Sequence, residues 1–246
     1  MRATARASLA AIGFGLLVLG CHRATSLPSP PSPTSGGLTE GQALDVVRRR
    51  ETDARTLAVT FKIVLRRPNA AEESSRGALV VVRPDQLRMQ IFSFGVMTAF
   101  DYTVNGDRYR VRRPLEGVEK IGRFSQLPPD DPMASALDLR PLFLGDSTVA
   151  STSVRDRGDT YRVTVSVGNR RHEVDVSKRA ATIEGETIYD GDRPRIVVAF
   201  RDYRLVDAVA LPFAVHVEYP ESRVSLDIDV ARYARNQPVD PGLFEF

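Results

Sequence analysis

Apolar side chains recur at every second position through most of the chain after residue 56. In the run LAVTFKIVLRR, for example, Leu57, Val59, Phe61, Ile63 and Leu65 fall on one face. A period of two is typical of strands buried on one side, because successive side chains of a strand point to opposite faces. Similar runs return up to residue 233, separated by short turn sequences. The chain is therefore expected to adopt a mainly β fold whose sheet has one apolar face.

The runs between residues 77 and 113 give the clearest pairing signal. GALVVVRP is apolar on both faces, as in a central strand, and QLRMQIF places Leu87, Met89 and Ile91 together. FDYTVNGDRYRVRR predicts two strands joined at Asn105 and Gly106, a dipeptide that favours a type I′ hairpin. The alternation points one set of this hairpin's side chains inward and a set of arginines outward. The inward set is Phe100, Tyr102, Val104, Tyr109 and Val111, and the outward set is Arg108, Arg110 and Arg112.

Two segments break the strand pattern and predict helical structure. Thr39 and Gln42 form a capping-box pair near the start of a helix within residues 38–57. In the apolar segment 131–144, Asp131 is a plausible N-cap and Pro132 occupies the first helical position. Pro141 should break or kink that segment, which predicts one short helix followed by an apolar turn.

About a dozen strands joined by short loops favour a single curved antiparallel sheet. Because a sheet of this length must curl or close, we predict an incomplete β-barrel with the helical segments covering its open side. Such an architecture can enclose an apolar cavity for a ligand. The residues expected to line it are Val59, Phe61, Ile63, Val80, Met89 and Phe100, with Leu137 and Leu142 above them. Residues 38–246 contain no break long enough for a second domain.

The first twenty residues predict an export signal. Arg2 and Arg6 precede an apolar run from Leu9 to Leu19, which is too short to span a bilayer stably. The run ends in VLGC, which resembles the bacterial lipobox, where the chain is cut before an acylated cysteine. We therefore expect removal of residues 1–20 and lipidation of Cys21. The alternative is an ordinary signal peptide followed by a chance cysteine.

Residues 21–37 predict a tether between the lipidated cysteine and the folded domain. The segment alternates proline with serine and threonine and ends in two glycines, which is typical of a semi-extended linker of at most about 3.1 Å per residue. His22 follows Cys21, where an aspartate would resemble an inner-membrane retention signal. The resemblance therefore implies sorting to the outer membrane, with the domain facing the periplasm.

Few residues offer catalytic or metal-binding chemistry. Cys21 is the single cysteine, and His22, His172 and His216 are the three histidines. His172 shares a strand face with two valines, which favours a hydrogen-bonded strand residue over a metal ligand. No nucleotide-binding fingerprint or nucleophile motif occurs, so we expect a protein without enzymatic activity, metal or cofactor.

The charge balance also argues against a nucleic-acid partner. Outside the export signal the chain has 32 basic and 31 acidic side chains, a net charge of +1, and no long basic block. Nearly all basic residues are arginine. This composition reflects either codon usage or binding to phosphates or lipid headgroups.

These features together resemble the LolA/LolB-like outer-membrane lipoprotein-sorting proteins. The resemblance lies in the lipobox, the Pro-rich tether, the first helix, the run GALVVVRPDQLRMQIFSFGVMTAFDYTVNGDRYRV and the ending LPFAVHVEYPESRVSLDIDVARYARNQPVDPGLFEF. It covers roughly residues 39–246. It implies an incomplete antiparallel barrel, helices over its open side and a cavity that accepts the acyl chains of lipoproteins. Cys21 implies the receptor-like side of the family, since the soluble carrier lacks a lipid anchor.

The resemblance also implies a functional turn and a set of partners. In the receptor, a short apolar turn projects a leucine followed by a glycine, and SFGVMT is similar, with Phe94, Gly95 and Val96 as the membrane or transfer turn. The alternative is that Phe94 packs inside the core. The implied partners are membrane lipids bound through Cys21 and lipoprotein acyl chains or a periplasmic carrier. A second possibility is that the same fold docks a protein partner in envelope assembly.

Overall fold

Strands make up most of the described chain in the computed structural model, as the period of two predicted. The structure describes residues 37–52, 54–93, 97–127, 151–167 and 170–246, all within one compact unit that spans Pro33–Phe246. One helix, α1 (Glu40–Thr52), precedes the strands. The strands are β1 (Thr56–Arg66), β2 (Glu73–Val82), β3 (Gln86–Ser93), β4 (Met97–Asn105), β5 (Arg108–Arg113), β6 (Val118–Arg123), β7 (Ser151–Asp156), β8 (Thr160–Val167), β9 (Arg170–Ser177), β10 (Ile183–Asp190), β11 (Arg193–Val206), β12 (Val209–Tyr219) and β13 (Val224–Arg235). Short 3₁₀ helices occupy Pro114–Glu116, Phe124–Gln126 and Pro241–Phe244.

The thirteen described strands form one antiparallel sheet in the order β6-β5-β4-β3-β2-β1-β13-β12-β11-β10-β9-β8-β7. Neighbours in sequence pair throughout, except at the centre, where β1 pairs with β13 and Ile63 lies opposite Ile228. β6 and β7 are the two edges, so the described sheet is not closed into a barrel. This confirms the predicted mainly β, antiparallel and incomplete architecture.

The strand register divides the sheet into two faces. Val59 lies opposite Leu79, Leu79 lies opposite Met89, and Met89 lies opposite Tyr102. We call the face that carries Val59 and these partners the inner face, and the opposite one the outer face. On β4, Thr103 follows the inner residue Tyr102 and lies on the outer face, and Arg110 of β5 pairs with it. This confirms the outward direction predicted for Arg108, Arg110 and Arg112.

The β4–β5 hairpin turns one residue later than predicted. Asn105 pairs with Arg108, so Gly106 and Asp107 form the turn. Gly106 has a φ of +60° but Asp107 is not among the residues with positive φ, so the predicted type I′ turn is wrong. Hydrogen bonds from Gln86 to the Asn105 side chain, and from Asn105 to the carbonyl of Phe244, keep Asn105 in the strand.

Helix α1 begins at the predicted capping box and packs on the inner face. The backbone N–H of Thr39 donates to Gln42 Oε1 at 2.8 Å, and the N–H of Gln42 donates to Thr39 Oγ1 at 3.3 Å. Ala43 is fully buried against Val163 and Val174, which lie on β8 and β9. None of the helical residues in the described ranges forms a helix long and apolar enough to cross a membrane. The second predicted helical segment, residues 131–144, lies outside the described residues.

The residues after β13 cross the outer face of β3, β4 and β5. Arg88 Nη1 donates to the carbonyl of Leu243 at 3.3 Å, and Arg108 donates to the carbonyl of Phe246. Phe244 is buried in this contact. The C-terminal segment therefore covers a polar cluster on the outer face, centred on Asp101.

Candidate functional site

The inner face carries a continuous apolar layer that runs from β5 to β8. It consists of three clusters of buried side chains. Cluster 1 contains Val59, Phe61, Leu79, Val81, Leu87, Tyr102, Val104, Tyr109 and Val111; cluster 2 contains Ala43, Val163, Val174, Val176 and Ile183; cluster 3 contains Ile188, Ile196, Val198 and Val217. Ile228 packs against clusters 1 and 3, and Phe200 packs against clusters 2 and 3. These two residues make the layer continuous.

The middle of this layer is only half-buried. Ile63 lies opposite Ile228, Leu65 lies opposite Leu226, and Val215 also lies opposite Ile228. We call these five residues the central strip. All five are partly exposed, whereas the side chains that form the three clusters are buried. A contiguous apolar surface flanked by buried clusters is suited to binding an apolar ligand, because burying each such side chain is worth about 1.5–3 kcal/mol.

Five of the predicted cavity residues meet on the inner face. Val59 and Phe61 are buried within cluster 1, and Ile63, Met89 and Phe100 pack against it while partly buried. The structure therefore brings these five side chains together, as the alternating pattern of β1, β3 and β4 predicted.

Val80 is not on the inner face, and its assignment there is wrong. It pairs with Ala58 on β1 and with Arg88 on β3, both of which lie on the outer face. Its neighbours Leu79 and Val81 are buried on the inner face instead. The error arises because the run ALVVV, residues 78–82, is apolar at every position, so it shows no alternation that distinguishes the two faces.

A glycine on β2 makes room for the ring of Phe61. A Cβ atom on Gly77 would lie 2.5 Å from two ring carbons of Phe61 and 2.9 Å from the carbonyl oxygen of Gln90. We expect Gly77→Val to lower the free energy of unfolding by about 1–3 kcal/mol, because the ring must leave its position. Chemical denaturation measures this change, with Ser75→Val, two positions away on the same face, as the matched control. Equal losses in both variants would contradict this packing.

Tyrosines near the central strip remain uncharged at neutral pH. The hydroxyl of Tyr233, which lies opposite Val59, donates to the carbonyl of Pro212 at 2.5 Å. Its ring packs edge to face against Phe213, with ring centroids 5.2 Å apart. Burial raises the pKa of both Tyr233 and Tyr219 above the ordinary value of a phenol. These phenols therefore add no charge to the inner face.

One buried polar pair lies on the inner face beside the apolar clusters. His172 Nδ1 and Glu186 Oε1 are 2.9 Å apart, and the two residues are 7% and 4% exposed. A buried polar group needs such a partner, because an unpaired one is strongly destabilising. This confirms His172 as a hydrogen-bonded strand residue. The sequence analysis missed Glu186, although its spacing from Ile188 places it on the inward side of β10.

A second histidine pairs with a carboxylate on the opposite face of the sheet. His216 lies on the outer face, where its Nδ1 is 2.6 Å from Asp227 Oδ1. Within the described ranges, no group of three or more His, Cys, Asp or Glu residues could hold a metal ion.

Several predicted site residues lie outside the described residues. These are Cys21, Phe94, Gly95, Val96, Leu137 and Leu142. Ser93 at the end of β3 pairs with Met97 at the start of β4, on either side of the predicted transfer turn. The exposure of Phe94 therefore stays a prediction.

Comparisons with known proteins show a likeness in structure. No family model matches the chain, and no curated protein matches its sequence. A LolA superfamily protein from Nitrosomonas europaea superposes with a TM-score of 0.61 at 11% identity, covering 85% of this chain and 98% of that one. The chain has a LolA/LolB-like fold. The resemblance seen in the sequence is thereby confirmed at the level of fold.

Two further structures show the same LolA/LolB-like fold. A DUF1329 family protein from Desulfovibrio piger has a TM-score of 0.60 at 15% identity, covering 85% of this chain and 98% of that one. A domain described as an outer membrane lipoprotein-sorting protein from Vibrio parahaemolyticus has a TM-score of 0.61 at 10% identity, covering 84% of this chain and 97% of that one. Identities this low describe the architecture and not the activity.

Proposed function

We propose that the inner face binds acyl chains, either of lipids or of lipoproteins, in lipoprotein sorting or insertion. The observation that carries this proposal is the central strip, a half-buried apolar surface that lies between buried clusters of the inner face. An acyl chain placed on the strip would gain about 0.8 kcal/mol for each methylene removed from water. The description of one structural neighbour as an outer membrane lipoprotein-sorting protein is the reason for choosing lipoprotein sorting as the process. The role is binding rather than catalysis.

The proposed setting is the periplasmic side of the outer membrane. Cys21 would carry the acyl anchor, and the tether of residues 21–37 would allow the domain to stand roughly 50 Å from the bilayer. In this setting the strip could receive an acyl chain from a periplasmic carrier. The 94–96 turn would contact the membrane during transfer.

Cell fractionation of Cys21→Ser tests the anchor. We expect the substituted protein to move from the membrane fraction into the soluble fraction, because no acyl chains can be attached at that position. Mass spectrometry of its N-terminus establishes whether the signal peptide has been removed. If the Cys21→Ser protein has lost its signal peptide and still remains fully membrane-bound, Cys21 is excluded as the anchor.

A second candidate function is the docking of a protein partner. The observation that favours it is the pair of edges of the described sheet, β6 and β7, whose outer backbone N–H and C=O groups pair with no further strand among the described residues.

Native mass spectrometry of the protein purified from cells distinguishes the two functions. Acyl-bearing species bound to the chain, and released when the protein is unfolded, are the expected result. A chain free of acyl ligands that purifies with a stoichiometric protein partner would support docking instead. The covalent acyl groups on Cys21 are identified separately by sequencing the N-terminal peptide.

A further inference from the structure

Exposed large apolar side chains are concentrated at one edge of the sheet. Among the described residues, five large apolar side chains are exposed: Met97 at 45%, Leu115 at 53%, Val118 at 39%, Ile121 at 52% and Leu205 at 43%. The first four belong to β4, to β6 or to the 3₁₀ helix between β5 and β6. A group of exposed apolar residues on one part of a surface commonly marks an interaction site.

The strand register places these four residues in one region. β4 and β5 are antiparallel, so the start of β4, at Met97, lies towards the end of β5. The 3₁₀ helix that carries Leu115 follows the end of β5 and packs against β4. Arg113 then pairs with Val118, and Ile121 follows on the same edge strand. We call Met97, Leu115, Val118 and Ile121 the edge patch.

Positive charge surrounds the edge patch. Residues 108–123 contain six basic and two acidic residues, a net charge of +4, while the whole chain has a net charge of +3. The rest of the chain therefore sums to −1. Glu116 pairs with Arg113 at 2.8 Å, and Glu119 lies 3.7 Å from Arg112. Asp107, just before this segment, lies 3.8 Å from Arg123 and reduces the local excess to +3, but all six side chains are at least 40% exposed. Such exposed ion pairs leave the local excess of positive charge available to an anionic partner.

We propose that the edge patch binds the surface of a bilayer that contains anionic phospholipids. Leu115 and Met97 would enter the interface, and Lys120 and Arg123 would lie near the lipid phosphates. Apolar insertion together with attraction to anionic lipids is the usual basis of interfacial binding. This inference rests on the proposed membrane attachment but is independent of acyl binding by the central strip.

A lipid surface fits the edge patch better than an added protein strand. Strand β6 is an edge, but Glu119, Lys120 and Arg123 are exposed along it. Charged side chains on an edge strand oppose pairing with another strand. The apolar residues also occur on both faces, since Val118 pairs with the inner position Arg113 and Ile121 with the outer position Arg110. If the whole edge enters the bilayer interface, the apolar residues of both faces are removed from water.

Membrane contact at this edge would orient the domain. Met97 is the first residue of β4 and pairs with Ser93, the last residue of β3. Insertion of Met97 and Leu115 therefore brings the β3–β4 end of the sheet to the bilayer. An acyl chain could then pass between the bilayer and the inner face without crossing the outer face.

A single-tryptophan experiment tests the proposal, because the chain contains no tryptophan. Leu115→Trp reports on the edge patch, and Leu205→Trp is the control, since Leu205 is similarly exposed near the turn between β11 and β12. Each full chain, purified from membranes, is reconstituted into phosphatidylcholine vesicles with brominated acyl chains, with or without phosphatidylglycerol. We expect bromine to quench Leu115→Trp about twofold or more over Leu205→Trp when phosphatidylglycerol is present.

Charge reversal tests the electrostatic part. We expect Lys120→Glu with Arg123→Glu, introduced into the Leu115→Trp chain, to raise the phosphatidylglycerol content needed for half-maximal quenching about tenfold, or to abolish quenching. Arg179→Glu with Arg201→Glu changes the net charge equally at two exposed positions, one in the turn between β9 and β10 and one on β11, and should leave quenching unchanged. Equal loss in both double variants would mean that net charge alone, and not the edge patch, attracts the protein.

Separate measurements distinguish a failure of the edge patch to bind membranes from a failure of the proposed anchor or of acyl binding. Flotation of the wild-type chain with vesicles reports attachment, and ligand analysis reports acyl binding. If the chain stays soluble, the same quenching comparison is made by adding vesicles to it. Equal quenching of the two tryptophan reporters, or none in either, overturns the proposal and leaves β6 as a site for a protein strand.

Discussion

Replacing Asp101 with alanine is expected to lower the free energy of unfolding by about 3–5 kcal/mol, because it leaves a largely buried arginine without its carboxylate. Asp101 is 2% exposed on the outer face. Arg88 donates to both of its oxygens, at 3.1 and 2.7 Å, and Gln90 donates at 3.2 Å. The Arg88 side chain is only 20% exposed, so water cannot fully replace the lost partner.

The loss should extend to the C-terminal segment. Arg88 also donates to the carbonyl of Leu243, and Phe244 is buried beside it. Without Asp101, the guanidinium group is no longer held in the position that binds this carbonyl. Hydrogen exchange should therefore show earlier opening of residues 241–246 in Asp101→Ala than in the wild-type protein.

Urea denaturation of two further variants tests whether the unpaired Arg88 causes the loss of stability in Asp101→Ala. Asp229→Ala removes an exposed carboxylate from β13 and should change stability by no more than about 0.5 kcal/mol. Arg88→Met with Asp101→Leu removes both charges and should be more stable than Asp101→Ala alone. If Asp101→Ala were as stable as Asp229→Ala, the ion pair would contribute little to the fold.

The sequence predicted β1 to β5, β8, β9 and β11 to β13, because the apolar residues of most of these strands recur with a period of two. It did not predict β6, whose residues are mostly exposed, so that no alternation marks the strand. Val80 was assigned to the wrong face for a related reason, since the second half of its strand, residues 78–82, is apolar at every position. The alternation therefore assigns residues to a face only where the two faces of a strand differ in polarity.

Long-range pairing could not be predicted from local patterns. The sheet is continuous because β1 pairs with β13, which are about 160 residues apart in sequence, as in the pairing of Ile63 with Ile228. The central strip depends on this pairing, because its residues come from β1, β12 and β13. Ala43 and Glu186 were missed as inner-face residues, since a small residue on a polar helix and an acid in a strand both suggest exposure.

A charge placed on the central strip should abolish most of its affinity for acyl chains. Ile63 lies on the inner face, half-buried and opposite Ile228. In Ile63→Glu, a bound acyl chain would remove the carboxylate from water, at a penalty of about 2 kcal/mol or more, which corresponds to about 30-fold weaker binding. Thr60→Glu is the matched control, because Thr60 is exposed on the outer face of the same strand.

The most direct measurement is the binding of a solvatochromic fatty acid to the wild-type chain, Ile63→Glu and Thr60→Glu, with thermal unfolding of each as a check on folding. We expect the wild-type chain to bind the probe and release it to lipoprotein acyl peptides. Thr60→Glu should bind within about twofold of the wild-type chain, and Ile63→Glu about 30-fold more weakly. Equal affinities in all three proteins, or no binding to the wild-type chain at millimolar probe, would contradict acyl binding by the inner face.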